Sequence, residues 1–315
     1  AEKIAQQKPP QIICKTVVGN LKNQKMNKII ILTFLLISSL SYGQSYEEKI
    51  AEKSCDCISK DTETDNLDEL LKKCIISSKI EVENNDPSEK DNRQFTVEGI
   101  RKTFSDVSKL VIEKCPAIRT KVSEKKKQEF YRLSDNPKAN DYFQKGNQFR
   151  DRNQFELAIE QYEKAIKKDK EFVMAYDHLG VAYRMNNNLD NAIKTYKKSL
   201  EIFPEGDFAL LNIAAAYSMK KNEAESQKYY ENLINFHPEN PEGYYGSGKT
   251  NLILNNNEIA LRNTLIAMIL YDKQSSTKIS DAETLLGFVH AKMKQENELE
   301  KFNQILKEYN VEFKE

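Results

Sequence analysis

The sequence predicts an all-α protein: stacked pairs of helices behind a smaller helical head tied by disulfides. Three observations carry the prediction. One order of large and small side chains returns every 34 positions between Ala139 and Asp272. The chain has no tryptophan and few glycines and prolines (10 and 8), as suits a helical protein with polar faces. Four cysteines gather between Cys55 and Cys115, outside the repeating stretch.

The repeat is read from its columns. Tyr142, Tyr176, Leu210 and Tyr244 stand one step apart, as do Gly146, Gly180, Ala214 and Gly248. Phe149, Tyr183 and Tyr217 form a third column; Ala158, Ala192, Ser226 and Ala260 form a fourth, and Tyr162, Tyr196 and Tyr230 a fifth. A fixed step of this length marks a repeat architecture, in which each copy is one supersecondary unit that buries its apolar face only against its neighbours.

These columns resemble the tetratricopeptide repeat, whose signature is W-x2-L-G-x2-Y, A-x3-F and P. The second copy fits best: Tyr176, Leu179, Gly180 and Tyr183 are followed by Ala192, Tyr196 and Pro204. The first departs at Lys170, in the proline column, and the fourth at Asn251 and Thr264, where aromatics belong. The resemblance covers somewhat under half of the chain. It implies a helix-turn-helix superhelix, an α-solenoid. In each copy two antiparallel helices would approach at positions such as Gly180 and Ala192, with the rings of Tyr176, Tyr183 and Tyr196 filling the space around them. Pro204 would end the second helix, because proline lacks the amide a continuing helix needs.

First helices are then expected at roughly 139–152, 173–186, 207–220 and 241–254, and second helices near 155–168, 189–202, 223–236 and 257–271. Asn186–Asn188 and Asn255–Asn257 supply short polar turns inside the pairs. The polar stretch Ser275–Ser280 breaks the step, and a last pair is expected near 281–294 and 296–309. Leu286-Gly287 echoes Leu179-Gly180, so 273–315 reads as a degenerate fifth unit that caps the array with a polar face.

Ahead of the repeats, residues 1–25 show no period and read as an upstream extension outside the fold. Met26, Lys28, the apolar run Ile29–Ile37 and the small residues up to Gly43 have the order of a secretory signal peptide, with cleavage expected before Gln44. An uncleaved anchor is the alternative, but the run falls short of the about 20 apolar residues that span a bilayer. No cysteine stands at the cleavage site to take a lipid anchor. A periplasmic or secreted protein is therefore expected, with the membrane met only during export. Of 48 basic and 48 acidic residues, six and one lie before Gln44, leaving a net charge of −5 on the exported part. That balance gives no basic face for nucleic acid.

Residues 44–133 form a separate segment. Tyr46–Lys60, Asn66–Glu83 and Gln94–Lys114 show helical spacing of apolar residues, for example Leu67, Leu70, Leu71, Cys74 and Ile75. Asp86-Pro87-Ser88 and Cys115-Pro116 break them. A three-helix head is expected, followed by the lysine-rich Ser123–Gln128 as a solvated helix face or linker. In an exported chain the even set Cys55, Cys57, Cys74 and Cys115 reads as two disulfides. Cys55 and Cys57 lie about 200° apart around a helix, so each must join Cys74 or Cys115; both such pairings remain open. Zinc is the rival reading, but Cys55-x-Cys57 is the wrong ligand step. Thiol exchange lacks a C-x-x-C.

One motif suggests an enzyme. Gly243–Thr250 fits G-x4-G-K-[ST], the phosphate-binding loop of nucleotide hydrolases, with Lys249 as its lysine. That chemistry needs a strand feeding a loop of free backbone amides. Here the segment follows a His237-Pro238 turn, and Gly248 keeps the repeat phase inside a predicted helix. His178, His237 and His290 have no partner at ligand spacing, and no catalytic motif stands out. The expectation is no catalytic residue, no metal and no cofactor.

What remains is a binding surface. The resemblance implies that the second, fifth, ninth, twelfth and thirteenth positions of each copy point into a concave groove. These are Asn140, Phe143, Asn147, Arg150 and Asp151 in the first copy, and Met174, Asp177, Val181, Arg184 and Met185 in the second. Phe208, Leu211, Ala215, Ser218 and Met219 follow in the third, then Glu242, Tyr245, Lys249, Leu252 and Ile253. The lining is half apolar and rich in methionine, which suits a peptide or helix of another protein. Some members of the family clamp a C-terminal carboxylate with lysine and asparagine at the fifth and ninth positions. Asn147 fits, but Phe143 and Val181 do not. Arg150 and Arg184 are the better candidates for an acidic partner side chain, unless they pair internally with Asp151 or Asp177. The expectation is a non-enzymatic adaptor or scaffold of the bacterial periplasm or envelope, with self-assembly as a further reading.

Overall fold

The computed structural model describes residues 45–61, 64, 66–85 and 97–313. The upstream extension, the signal peptide with its cleavage site, and the Asp86-Pro87-Ser88 break lie outside these residues. Among the described residues there are 14 helices and no strand, and no helix is long and apolar enough to cross a membrane. The chain divides into two compact bodies: one runs to Asn212 and includes Asn235–Pro238, and the other holds Ile213–Ile234 and the chain from Glu239 onward.

The N-terminal body begins with α1 (Tyr46–Lys60), α2 (Leu67–Asn85), α3 (Val97–Lys114) and α4 (Pro116–Phe130). Ser45 starts α1 with a capping box, its hydroxyl accepting from Glu48 N and its own amide donating to the Glu48 carboxylate, both at 3.1 Å. Two of the four amides a helix start leaves unpaired are satisfied this way. Ile50, Ile58, Leu70, Cys74, Val107, Val111 and Ile118 form one buried cluster. Cys57 is bonded to Cys74, tying α1 to α2, and Cys55 to Cys115, tying α1 to the residue that starts α4. α4 is a fourth helix beyond the expected three, and it carries the lysine-rich stretch expected as a solvated helix face or linker.

Helical pairs follow: α5 (Pro137–Asp151) with α6 (Phe155–Lys168), then α7 (Val173–Met185) with α8 (Leu189–Ile202). α5 starts two residues ahead of its expected place, because the Asn136 side chain accepts from Lys138 N and Ala139 N and Pro137 occupies the first helical turn. The repeat columns are the packing contacts. A Cβ on Gly146 would lie 2.5 Å from the Tyr162 ring, and one on Gly180 2.4 Å from the Tyr196 ring. Bare backbone at these two positions is what admits the buried rings. Ala139, Phe143, Tyr162, Phe172, Ala175 and Leu179 join in one core.

α9 (Asp207–Met219) and α10 (Glu223–Phe236) are the third pair, and the division between the bodies falls within α9. The C-terminal body continues with α11 (Pro241–Ile253), α12 (Asn257–Lys273), α13 (Ile279–Gln295) and α14 (Leu299–Glu308). Leu261, Leu265, Met268, Tyr271, Leu286, Val289, Met293 and Phe302 make its core. On α14, Phe302, Ile305 and Leu306 are buried while Lys301, Lys307 and Glu308 face solvent. Asn153, Asn187, Lys221 and Asn255, 34 apart, all adopt left-handed backbone (φ 57–61°) in the turn inside each pair. Asparagine tolerates that conformation better than most residues, which is why the turns read as asparagine-rich.

Candidate functional site

The positions expected to line a groove in the N-terminal body lie on α5, α7 and the first turns of α9. They are less open than the sequence suggests. Phe143 is core: its ring lies 5.8 Å from Tyr162, 5.0 Å from Phe172 and 4.9 Å from His178. Asp177 is 1% exposed. Asn140 is spent locally, its side chain bonding the backbone N–H and carbonyl of Ser134. Met174, Val181, Phe208 and Leu211 are half-buried, and Met185 is exposed.

Asn147 and Arg150 converge on a histidine. Tyr162 donates its hydroxyl to Asn147 Oδ1 (2.7 Å), and His178 Nδ1 stands 2.8 Å from that oxygen and 2.9 Å from Arg150 Nη1. Burial first, and the Arg150 charge second, hold His178 down to about 4, so its ring is neutral at pH 7. His178 also stacks on Phe208, with centroids 6.0 Å apart. Arg150 donates to Asp151 at 2.8 Å, the internal pairing that competes with a partner carboxylate.

Arg184 is different. Its Nη2 lies 3.5 Å from Asn212 Oδ1, at the edge of hydrogen bonding, and among the described residues its buried Nε has no partner. Asn212 is held in place by donating to Phe208 O at 2.8 Å. Asp177 and Arg184, two turns apart on α7, do not form the internal pair that the sequence left open. The Asp177 Oδ1 has no partner either. Burial pushes its carboxyl up to about 7, with Ser199 opposing and Asp207 adding.

Sequence reasoning passed over Asn212 and Tyr131, and noted His178 only as lacking a partner at ligand spacing. His178 lacks a second ligand-type residue at any local spacing, and its contacts come from a helix 28 and 31 positions earlier. Tyr131 precedes the repeats and carries no column, yet its ring lies 6.4 Å from that of Phe208. Burial, then the charges of Asp177 and Asp207, push its hydroxyl up.

In the C-terminal body Tyr245 and Lys249, also expected to face the groove, lie on α11. Tyr245 is half-buried with its ring 6.4 Å from Tyr271, while Lys249 is exposed. Gly243–Thr250 is interior to that helix rather than a loop. From Tyr244 onward the helical register commits the segment's amides to the preceding turn, unlike the open amides of a phosphate-binding loop. A Cβ on Gly246 would strike Tyr230, and one on Gly248 would lie 2.9 Å from Thr264 Oγ1, so both glycines serve close helix contact. Among the described residues no group of three metal-ligating side chains comes together.

Family models match part of the repeating stretch. A TPR repeat family model matches 146–187, and tetratricopeptide repeat models match 175–205 and 208–240. No curated protein matches the sequence. Among solved structures, MamA 41-end from Desulfovibrio magneticus RS-1 is similar at 15% identity and a TM-score of 0.47, over 56% of this chain and 95% of that one. The C-terminal part of a TPR repeat-containing protein from Cytophaga hutchinsonii is similar at 16% identity and a TM-score of 0.47, over 77% of this chain and 92% of that one.

Proposed function

This chain belongs to the tetratricopeptide-repeat family, and on that premise we propose a non-enzymatic adaptor that binds a segment of another protein along the inward positions of its repeat helices. The observation that carries the reading is Arg184: a half-buried guanidinium with no carboxylate partner among the described residues, one helical turn from the half-buried Val181. A carboxylate of a peptide or helix would meet the planar, two-point fork that guanidinium offers. The apolar neighbours and the exposed Met185 would take the aliphatic part of the same segment. Arg150, Asn147, Met174 and Phe208 extend the surface. Tyr245 and Lys249 are proposed as inward positions of the C-terminal body. The leader-like sequence before Gln44 supports action in the periplasm or outside the cell, where paired cysteines persist.

The test is capture of partners from envelope extract by the full chain, with the double variant Arg184→Glu/Leu211→Ala beside it. The variant should melt within a few degrees of the parent and lose the proteins the parent retains. The same proteins on both columns would sink the groove assignment. The rival reading, nucleotide hydrolysis through Gly243–Thr250, requires saturable binding of labelled ATP that Lys249→Ala abolishes; no binding is expected. Self-assembly through the repeats would appear as concentration-dependent mass in light scattering.

A further inference from the structure

The second half of α4 is an unusual helix to find docked. After Val122 its next apolar side chain is Phe130, and Ser123–Glu129 between them holds three lysines, two glutamates, a serine and a glutamine. It nevertheless lies on the repeats. Ser123 is buried and donates its hydroxyl to Phe236 O at 3.1 Å. Lys126 pairs with Glu205, and Lys127 with Asp207 at 2.8 Å. Phe130 stacks on Phe203 with centroids 5.8 Å apart, and Tyr131 follows against Phe208. Just beyond, Ser134 donates to the Asp169 carboxylate.

These contacts fall in order on the ends of successive repeats. Phe236 closes the third pair, Phe203 to Asp207 join the second to the third, and Asp169 follows the first. The helix thus crosses the turns between pairs as a strap. At its end the Tyr131 ring lies 6.4 Å from that of Phe208, and burial with the charges of Asp177 and Asp207 pushes its hydroxyl up; Asp177 itself is 1% exposed.

We infer that the segment from Ser123 to Tyr131 is a latch in cis, closed mainly by charge, which must lift before a partner can reach Asp177 and Phe208. The charges are unevenly placed. The lysine side chains are 40% and 45% exposed, whereas Glu205 and Asp207 are 10% and 25% exposed. Lifting the strap lets both acids return to water, and it is opposed by two ion pairs, two ring contacts and the Ser123–Phe236 hydrogen bond. Salt weakens pairs that remain open to solvent on one side. The first half of α4 is anchored differently, through Ile118 in the head core and the Cys55–Cys115 bond at its start. A hinge near Val122 would therefore leave the head intact.

The latch rests on the proposed groove only for what it would uncover; its opening is measured without a partner. Hydrogen exchange on the full chain is followed at 50 and 500 mM KCl. Amides of Ser123–Tyr131 and of the first turns of α9 should exchange roughly tenfold faster at high salt, the worth of two part-exposed ion pairs, while those of α1 and α2 stay protected. Lys126→Glu/Lys127→Glu should show the fast pattern at low salt, and Lys127→Glu with Asp207→Lys should restore protection relative to Lys127→Glu alone. Salt-independent protection of Ser123–Tyr131 in the parent chain overturns the inference, whether or not the variants fold.

Discussion

Two neighbours on α7 carry opposite acid–base consequences. Asp177 is raised by burial to about 7, and a carboxyl in the unfolded chain titrates near 4. Between those values the folded chain holds a proton that the unfolded chain has lost, so this group makes stability fall as pH rises. His178 is lowered by burial to about 4, against an unfolded value of 6.5. Over that window the unfolded chain holds the extra proton, so this group makes stability rise with pH. The two slopes oppose each other from about pH 4 to 6.5, and only the Asp177 slope continues to about 7. Asp177→Asn should therefore gain on the parent steadily as pH is raised from 4.5 to 7.5, in melting temperature measured side by side. A difference independent of pH would show that Asp177 is ionised throughout.

The helix pair is the element that the repeat columns build. Gly180 has no room for a methyl group: its added Cβ would lie 2.4 Å from a ring carbon of Tyr196, a fully buried side chain. Overpacking of this kind costs about 1–3 kcal/mol, and alanine returns about 1 kcal/mol of helix propensity over glycine. Gly180→Ala should thus be destabilising by about 1 kcal/mol on balance, read from urea midpoints; a stabilised variant would mean that the ring moves freely. In the fourth pair Thr264 stands where the first three pairs have a tyrosine ring, and the hydroxyl of Thr264 bonds Ala260 O inside its own helix (2.7 Å). The pair keeps its spacing with a smaller side chain.

At the scale of the molecule, the head depends on its cross-links more than the repeats do. A four-helix segment of this length has a modest core, and each bridge restricts the unfolded chain. Cys55–Cys115 closes a separation of 60 residues and Cys57–Cys74 one of 17. Loss of such a bond typically costs about 2–4 kcal/mol, more for the longer loop. Reduction should lower the melting of α1–α4 sharply and leave α11–α14, which contain no cysteine, unchanged, as followed by hydrogen exchange. Equal loss in both regions would contradict this division of labour. Cys55→Ser should cost more than Cys74→Ser, because it opens the longer loop.

The helix pairs, their turns, the close glycine–tyrosine contacts and the four-cysteine head were legible in the residues. All of these arise from interactions that recur at a fixed step, and a period in sequence becomes a period in space once each copy packs on the next. The inward positions were legible as a register but not as a surface. Phe143 and Asp177 occupy the expected phase and are nevertheless buried, since burial depends on what arrives from elsewhere in the chain. Tyr131 and α4 arrive from outside the period, across separations of 79 and 80 residues at the Lys126–Glu205 and Lys127–Asp207 pairs. The cysteine pairing was narrowed by helix geometry to two choices and decided by where α2 and the start of α4 come to rest against α1. The sequence by itself determined the repeating element; only the tertiary structure decided which of its faces stay open, because that depends on contacts no local spacing records.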